Sequence, residues 1–140
     1  MARLMPQVHL RAVAAPRFRV TTDYNHALPV AENLLCQDFT ASATNVKWAS
    51  DIMYVGTREG WLYLAVVLDL FSRRVVGWSM QPRLDRSLVI EALQAALGQR
   101  SVETYSVHHS DRGSQYASGA FQQLLSEQGI TCSMSRKENC

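Results

Sequence analysis

The sequence predicts an α/β domain, a mixed five-stranded sheet with flanking helices. Three observations carry this reading. Three apolar runs follow one another through short connections between residues 48 and 80. After Pro82 the apolar period lengthens from two to about 3.6. Two helix-length stretches then alternate with two short strand-like runs.

Taken in order, residues 1–20 are broken by Pro6 and Pro16 and read as a short amphipathic or irregular arm. Residues 21–46 turn polar and small, with Pro29 and the run Thr40-Ala41-Ser42-Ala43-Thr44-Asn45, a linker signature. The first strand covers roughly Trp48 to Val55. A turn through Gly56 to Gly60 leads into Trp61 to Leu68, apolar on both alternating faces as in a strand covered on both sides. Asp69 to Arg73 turns the chain into a third strand, Arg74 to Met80, and such short connections favour antiparallel hairpins.

Leu88, Ala92, Ala95 and Ala96 then repeat at helical spacing, with Val89, Leu93 and Leu97 widening the stripe. Asp85 or Ser87 is placed to cap this helix and Gly98 to end it. Tyr105 to Ser110 is the fourth strand and delivers Asp111. Ser118 caps a second helix with Phe121, Leu124 and Leu125 on its apolar face, closed by Gly129. Ile130 to Ser135 alternates as a fifth strand. A right-handed crossover returns the fourth strand beside the first, so Asp51 and Asp111 fall on neighbouring strands.

At 140 residues, with 47% hydrophobic and 19% charged side chains, the chain fits one globular domain. No apolar run approaches the roughly 18 residues of a spanning helix, so no membrane partner is expected. The net charge of +2 is uneven. Arg3, Arg11, Arg17 and Arg19 stand in residues 1–20 with no acid among them. Such an arm suits an anionic partner such as nucleic acid, but also a solvated terminus or an organelle transit peptide. Cys36, Cys132 and Cys140 are widely spaced, without a zinc-ligand pattern, as reduced cytoplasmic thiols would be.

Two acids stand where metal chemistry can use them. Asp51 interrupts the apolar run Trp48 to Val55, where a buried carboxylate needs neutralising; Asp111 ends the fourth strand. A divalent cation shared by both meets that need. The ordinary reading of either is a cap or turn residue. Asp69 lies beside Arg73 and Arg74, where an ion pair or turn contact accounts for it. His108 and His109 alternate to opposite faces, so packing and hydrogen bonding fit them better than shared metal binding. Trp61 and Trp78 are expected in the core or at a helix interface.

Three strings in order bring a resemblance: Asn45 to Ile52, Gly60 to Trp78, and His108-His109-Ser110-Asp111-Arg112-Gly113-Ser114-Gln115-Tyr116. Together they resemble bacterial insertion-sequence transposases of the retroviral-integrase superfamily. The resemblance spans nearly the whole chain and implies a ribonuclease H-like fold with a D-D-E catalytic core. It implies Asp51 and Asp111 as the first two catalytic and metal-binding acids, with Mg2+ or Mn2+ as cofactor for phosphoryl transfer on DNA. DNA, as transposon ends and target, is the implied partner, with a homo-oligomer or an intact transposase beside it. A bacterial, cytoplasmic, nucleoid-associated location follows. Arg112, Ser114 and Gln115, in a turn expected to expose donors, and Arg17 and Arg19 in the arm are the candidate DNA contacts.

The family's catalytic Glu falls roughly 35 residues past the second Asp, on a helix after a Lys-Gly-Asn segment. Residue 140 is only 29 positions past Asp111, and Glu138 stands where the family usually has Gly. The expectation is a partial core over 47–140 with the last catalytic helix missing, residues 1–20 being the remnant of a helix-turn-helix region. Such a chain is expected to be inactive alone; the alternative is a non-catalytic nucleic-acid-binding or transposase-pairing remnant. An uncovered apolar sheet face is the further expectation.

Overall fold

The computed structural model describes residues 25–103 and 105–136. Arg17, Arg19 and the rest of the expected arm lie outside the described residues. The elements in chain order are β1 (Lys47–Thr57), β2 (Gly60–Asp69), β3 (Arg74–Gln81), α1 (Arg86–Gln99), β4 (Val107–Ser110), α2 (Ser114–Ala117), α3 (Gly119–Glu127) and β5 (Thr131–Met134). They form one five-stranded sheet in the order β3-β2-β1-β4-β5. The first three strands pair antiparallel, while β4 joins β1, and β5 joins β4, in parallel. The predicted mixed sheet and the return of the fourth strand beside the first are both present.

Local chemistry accounts for most boundaries. Thr57 pairs with Gly60 across a two-residue hairpin turn, and Gly60 takes a φ of 128° that L side chains rarely adopt. Between β2 and β3, Arg73 sits at φ 58° and its N–H donates to the Asp69 carbonyl at 2.8 Å. The Asp85 carboxylate caps α1, accepting from the Ser87 N–H at 2.9 Å. Gly98 does not end this helix, which continues to Gln99 with Arg100 as C-cap. At the end of α3, Gly129 takes a φ of 69°. Its N–H donates to the Ser126 carbonyl and that of Ile130 to the Leu125 carbonyl, the paired bonds of a Schellman motif.

The helices lie on one face of the sheet. Trp48, Ala65, Val67 and Val76 from the strands join Leu88, Leu93, Tyr116, Phe121 and Leu125 in the core. The closest approach is at Gly77. A Cβ there would stand 2.3 Å from the Ala92 carbonyl oxygen and 2.5 Å from the Ala96 nitrogen. The backbone of α1 therefore rests directly on β3, which explains glycine on the strand facing alanines on the helix.

The opposite face corrects the reading of β2 as a strand covered on both sides. Leu62, Leu64, Val66 and Leu68 are only half-buried there, and Met53, Val75, Trp78 and Met80 are exposed. A bulge explains why Trp78 misses the core. Val67 faces Gly77 but Leu68 faces Val75, so Val76 is an extra residue and the alternation slips by one. Trp61 is half-buried near the hairpin, and Trp48 is the tryptophan of the core, 2% exposed. Residues 25–46, expected as a linker, contain no helix or strand yet are tied to the sheet. The Leu34 N–H donates to Ser133 Oγ, the Met134 N–H donates to the Glu32 carbonyl, and Leu35 is buried.

Gly77→Ala is expected to lower stability by about 2–3 kcal/mol, because helix backbone cannot yield as a flexible side chain does. Urea unfolding of the two chains measures this, and an unchanged midpoint contradicts the close approach.

Candidate functional site

The parallel pairing of β1 with β4 sets Trp48 opposite His108 and Ala49 opposite His109. Carried two residues further, the register brings Asp111, the first residue past β4, level with Asp51. On its other side Asp51 pairs with Val66, which in turn pairs with Trp78. Asp51 alternates with the core-facing Trp48, Ser50 and Ile52, so its carboxylate points to the face opposite the helices. It is exposed there, and its Oδ1 accepts the Ile52 N–H at 2.8 Å. The expected cost of burying this carboxylate does not arise. Asp111 is half-buried, and its Oδ1 accepts the Gly113 N–H at 2.7 Å, which fixes the turn into α2.

Behind the two acids lies a buried aromatic layer. His108 is fully buried, shares a 2.6 Å hydrogen bond with Ser50 Oγ through Nε2, and packs edge-on against Phe121. Burial, followed by the neighbouring His109, lowers its pKa to about 3, so it is neutral in the folded chain. His109 turns to the other face, bonds Ser133 Oγ through Nδ1 at 2.8 Å and meets the Phe39 ring. Both histidines pack and hydrogen-bond as expected.

Tyr116, which the sequence did not single out, stacks on His108 and Phe121 and is 1% exposed. Its hydroxyl has no hydrogen-bond partner. Burial pushes its pKa well above the ordinary phenol value, and the carboxylates of Asp111 and Asp51, then Tyr54, push it further. Both acids thus lie within Coulombic reach of one hydroxyl.

The other candidates fall in different settings. Asp69 is completely buried, and its carboxylate accepts N–H bonds from Asn45 and Ser72 together with the Ser72 hydroxyl. Burial would raise its pKa, but these bonds outweigh it and hold the carboxyl below its usual range. It is a turn clamp. Arg112 is half-buried; its Nε donates to the Ser135 carbonyl at 3.0 Å, and its own carbonyl accepts from His26 Nε2 at 2.7 Å. Ser114 and Gln115 belong to α2, a short helix where the sequence predicted only a turn. Ser114 is half-buried and Gln115 is 8% exposed, so Gln115 does not present an open donor. Among the described residues no cluster of three His, Cys, Asp or Glu side chains forms.

A five-stranded mixed sheet with this strand order, carrying an acid on β1 and another just past β4, defines the ribonuclease H-like integrase core. The profile of the integrase core domain family matches residues 41–140, and the chain belongs to that family. The resemblance to insertion-sequence transposases is likewise borne out. The chain is 51% identical over 131 residues to the transposase InsF of insertion sequence IS3A from Escherichia coli K12, covering 94% of this chain and 46% of that protein. It is 43% identical over its full length to a 31 kDa protein of insertion element IS600 from Shigella sonnei, covering 52% of it. The chain thus spans about half the length of the curated relatives it matches.

Among solved structures, the simian T-cell lymphotropic virus intasome in complex with a PP2A regulatory subunit shares the fold at a TM-score of 0.65 and 23% identity, covering 84% of this chain and 40% of that one. The HTLV-2 integrase catalytic core domain, solved in complex with magnesium in a dimeric form, matches at a TM-score of 0.61 and 21% identity. It covers 68% of this chain and 63% of that one.

The buried neutral His108 predicts a pH dependence. Unfolding frees it to take a proton near its ordinary pKa, whereas the folded chain resists protonation down to about 3. Its contribution is therefore complete above pH ~6.5 and is lost as pH falls. Stability is expected to drop by up to about 1.4 kcal/mol per pH unit between about pH 6 and pH 4, with His109 adding in the same direction. Thermal melts across this window check it, and His108→Gln is expected to flatten the profile.

Proposed function

We propose that this chain is the two-acid portion of a transposase core that joins DNA by metal-dependent phosphoryl transfer. The observation carrying this reading is the level placement of Asp51 and Asp111 on adjacent parallel strands. Carboxylate oxygens are the donors that hard divalent cations prefer, so the residues present fit Mg2+ or Mn2+. The apolar neighbours Val66, Trp78 and Met53 help as well: low polarizability around Asp51 leaves its charge less screened toward a cation. When bound, such a cation activates the attacking oxygen and stabilises the leaving one.

The residues of the chain hold and orient the acids. The Gly113 N–H fixes the Asp111 carboxylate, the parallel pairing sets the spacing, and the helix layer supports both strands from behind. The HTLV-2 core solved with magnesium supports the metal reading by fold alone. Residues 47–140 form the core segment in this reading, preceded by a DNA-directed arm at 1–20 and a connecting segment at 21–46. Arg17 and Arg19 supply phosphate contacts from the arm; Arg112 and Ser114 are the nearest candidates on the core. The partners are DNA and a second transposase subunit, in a bacterial cytoplasm. No helix among the described residues is long and apolar enough to cross a membrane.

Two acids of a D-D-E set leave the catalytic shell one ligand short, so the 140-residue chain is silent by itself. The alternative, a pairing or DNA-binding remnant, draws support from the exposed Trp78, Met53 and Met80.

Incubation of the chain with Mg2+ or Mn2+ and a transposon-end duplex is expected to yield no cleavage. A chimera continuing after Arg136 with the C-terminal part of the InsF relative is expected to cleave. In the chimera, Asp51→Asn or Asp111→Asn should each reduce cleavage by at least about a hundredfold. Cleavage that survives both substitutions overturns the assignment, and cleavage by the 140-residue chain that vanishes in Asp51→Asn overturns its silence. Deleting residues 1–20 is expected to weaken non-specific DNA binding. It should also flatten the log–log salt slope by about three to four, one increment for each Arg.

A further inference from the structure

Four buried side-chain polar atoms lack a hydrogen-bond partner among the described residues: Asn45 Oδ1, Trp48 Nε1, His108 Nδ1 and the Tyr116 hydroxyl. A buried O–H without a partner is destabilising, commonly by about 1–3 kcal/mol, and marks a place where a group from outside the fold completes the bonding. The hydroxyl of Tyr116 stands apart from the others because of what surrounds it. Its ring stacks on His108, whose Nε2 bonds Ser50. Ser50 immediately precedes Asp51, and His108 lies three residues before Asp111 on the paired strand. The ring is fixed on a second side by Phe121, 5.4 Å away between centroids. A phenol held this rigidly, alongside the strand pair that carries both acids, offers one directed donor.

We propose that the Tyr116 hydroxyl is a positioning group of the two-acid site, donating a hydrogen bond to the water shell of a divalent cation held by Asp51 and Asp111. This rests on reading the two acids as a metal site. Several solvent positions around such a cation stay free when only two carboxylates bind it, and each is a strong acceptor direction for a nearby O–H. Tyr116 therefore selects which hydrated geometry the acids hold, without touching the metal itself. The stability lost by leaving the hydroxyl unbonded in the empty fold is recovered on loading.

The test uses Tyr116→Phe in the 140-residue chain, since it removes only the oxygen and keeps the ring contacts. Mn2+ binding is titrated by the paramagnetic resonance signal of free Mn2+, with Asp51→Asn alongside, and metal-free melts are recorded for all chains. Tyr116→Phe is expected to raise the Mn2+ dissociation constant about five- to tenfold. Without metal it should melt at or above the unsubstituted chain. If Tyr116→Phe binds Mn2+ like the unsubstituted chain while Asp51→Asn loses binding, Tyr116 has no positioning role and the two-acid reading stands. If the chain binds no Mn2+, or Asp51→Asn binds it equally, the two-acid reading fails and this inference with it. A lower metal-free melting temperature for Tyr116→Phe gives the hydroxyl a structural partner and also overturns the proposal.

Discussion

The contact of α1 backbone with β3 at Gly77 is the constraint on which the acid geometry depends. A strand–helix–strand crossover puts the returning strand where the helix lets it fall. With Ala92 and Ala96 seated on Gly77, α1 lies close over β3 and β2. The chain leaves it at Arg100 and enters β4 beside β1. Pushing the helix away would shift the point from which β4 starts, and parallel pairing has no hairpin turn to correct its register. The level of Asp111 relative to Asp51 is thus set more than 30 residues earlier in the chain, by the absence of a side chain.

The two aspartates of the first hairpin show how setting separates structure from chemistry. Asp69 and Asp51 lie on paired strands, and each is flanked by apolar residues in the sequence. Asp69 is wholly buried and accepts from two N–H groups and one hydroxyl, which join the entry of β1 to the β2–β3 turn. Removing those donors would leave a buried charge unpaired, so its role is to hold two segments together. Asp51 faces outward, with Val66 and Trp78 beside it in the sheet. Apolar flanks alone did not distinguish these cases. The difference lies in which face each strand position takes, and that depends on the sheet as a whole.

The sequence was most legible where a local rule decided the outcome. The Asp85 cap, the Gly129 closure, the three antiparallel strands and the opposite facing of His108 and His109 follow from short-range chemistry. It was least legible where tertiary packing overrode a local signal. Gly98 could have ended α1, but the helix carries on for one more residue and closes at Arg100. Trp78 would lie on the helix face if β3 alternated without interruption, but the extra residue Val76 moves it to the open face. The four-residue α2 was read as a turn because a single helical turn has no period to detect. Tyr116 escaped notice for a related reason: an aromatic just after a polar turn reads as ordinary core, and only the missing partner of its hydroxyl sets it apart.

The open face carries two demands that pull against each other. Met53, Leu64, Met80 and Trp78 form a continuous apolar area across β1, β2 and β3 whose burial would be favourable. Asp51 stands in the same rows, between Met53 and Ala49, and must stay reachable by a cation and by a DNA phosphate if the proposed chemistry is to occur. Covering the face completely would desolvate that carboxylate without a counter-charge and raise its pKa. Leaving it bare keeps hydrophobic surface in water. Both demands are met only if the surface that covers β2 and β3 stops short of the β1–β4 boundary, or carries its own acid to that point. The second solution adds a ligand where Asp51 and Asp111 already lie level, so covering the sheet and completing the metal site become one event.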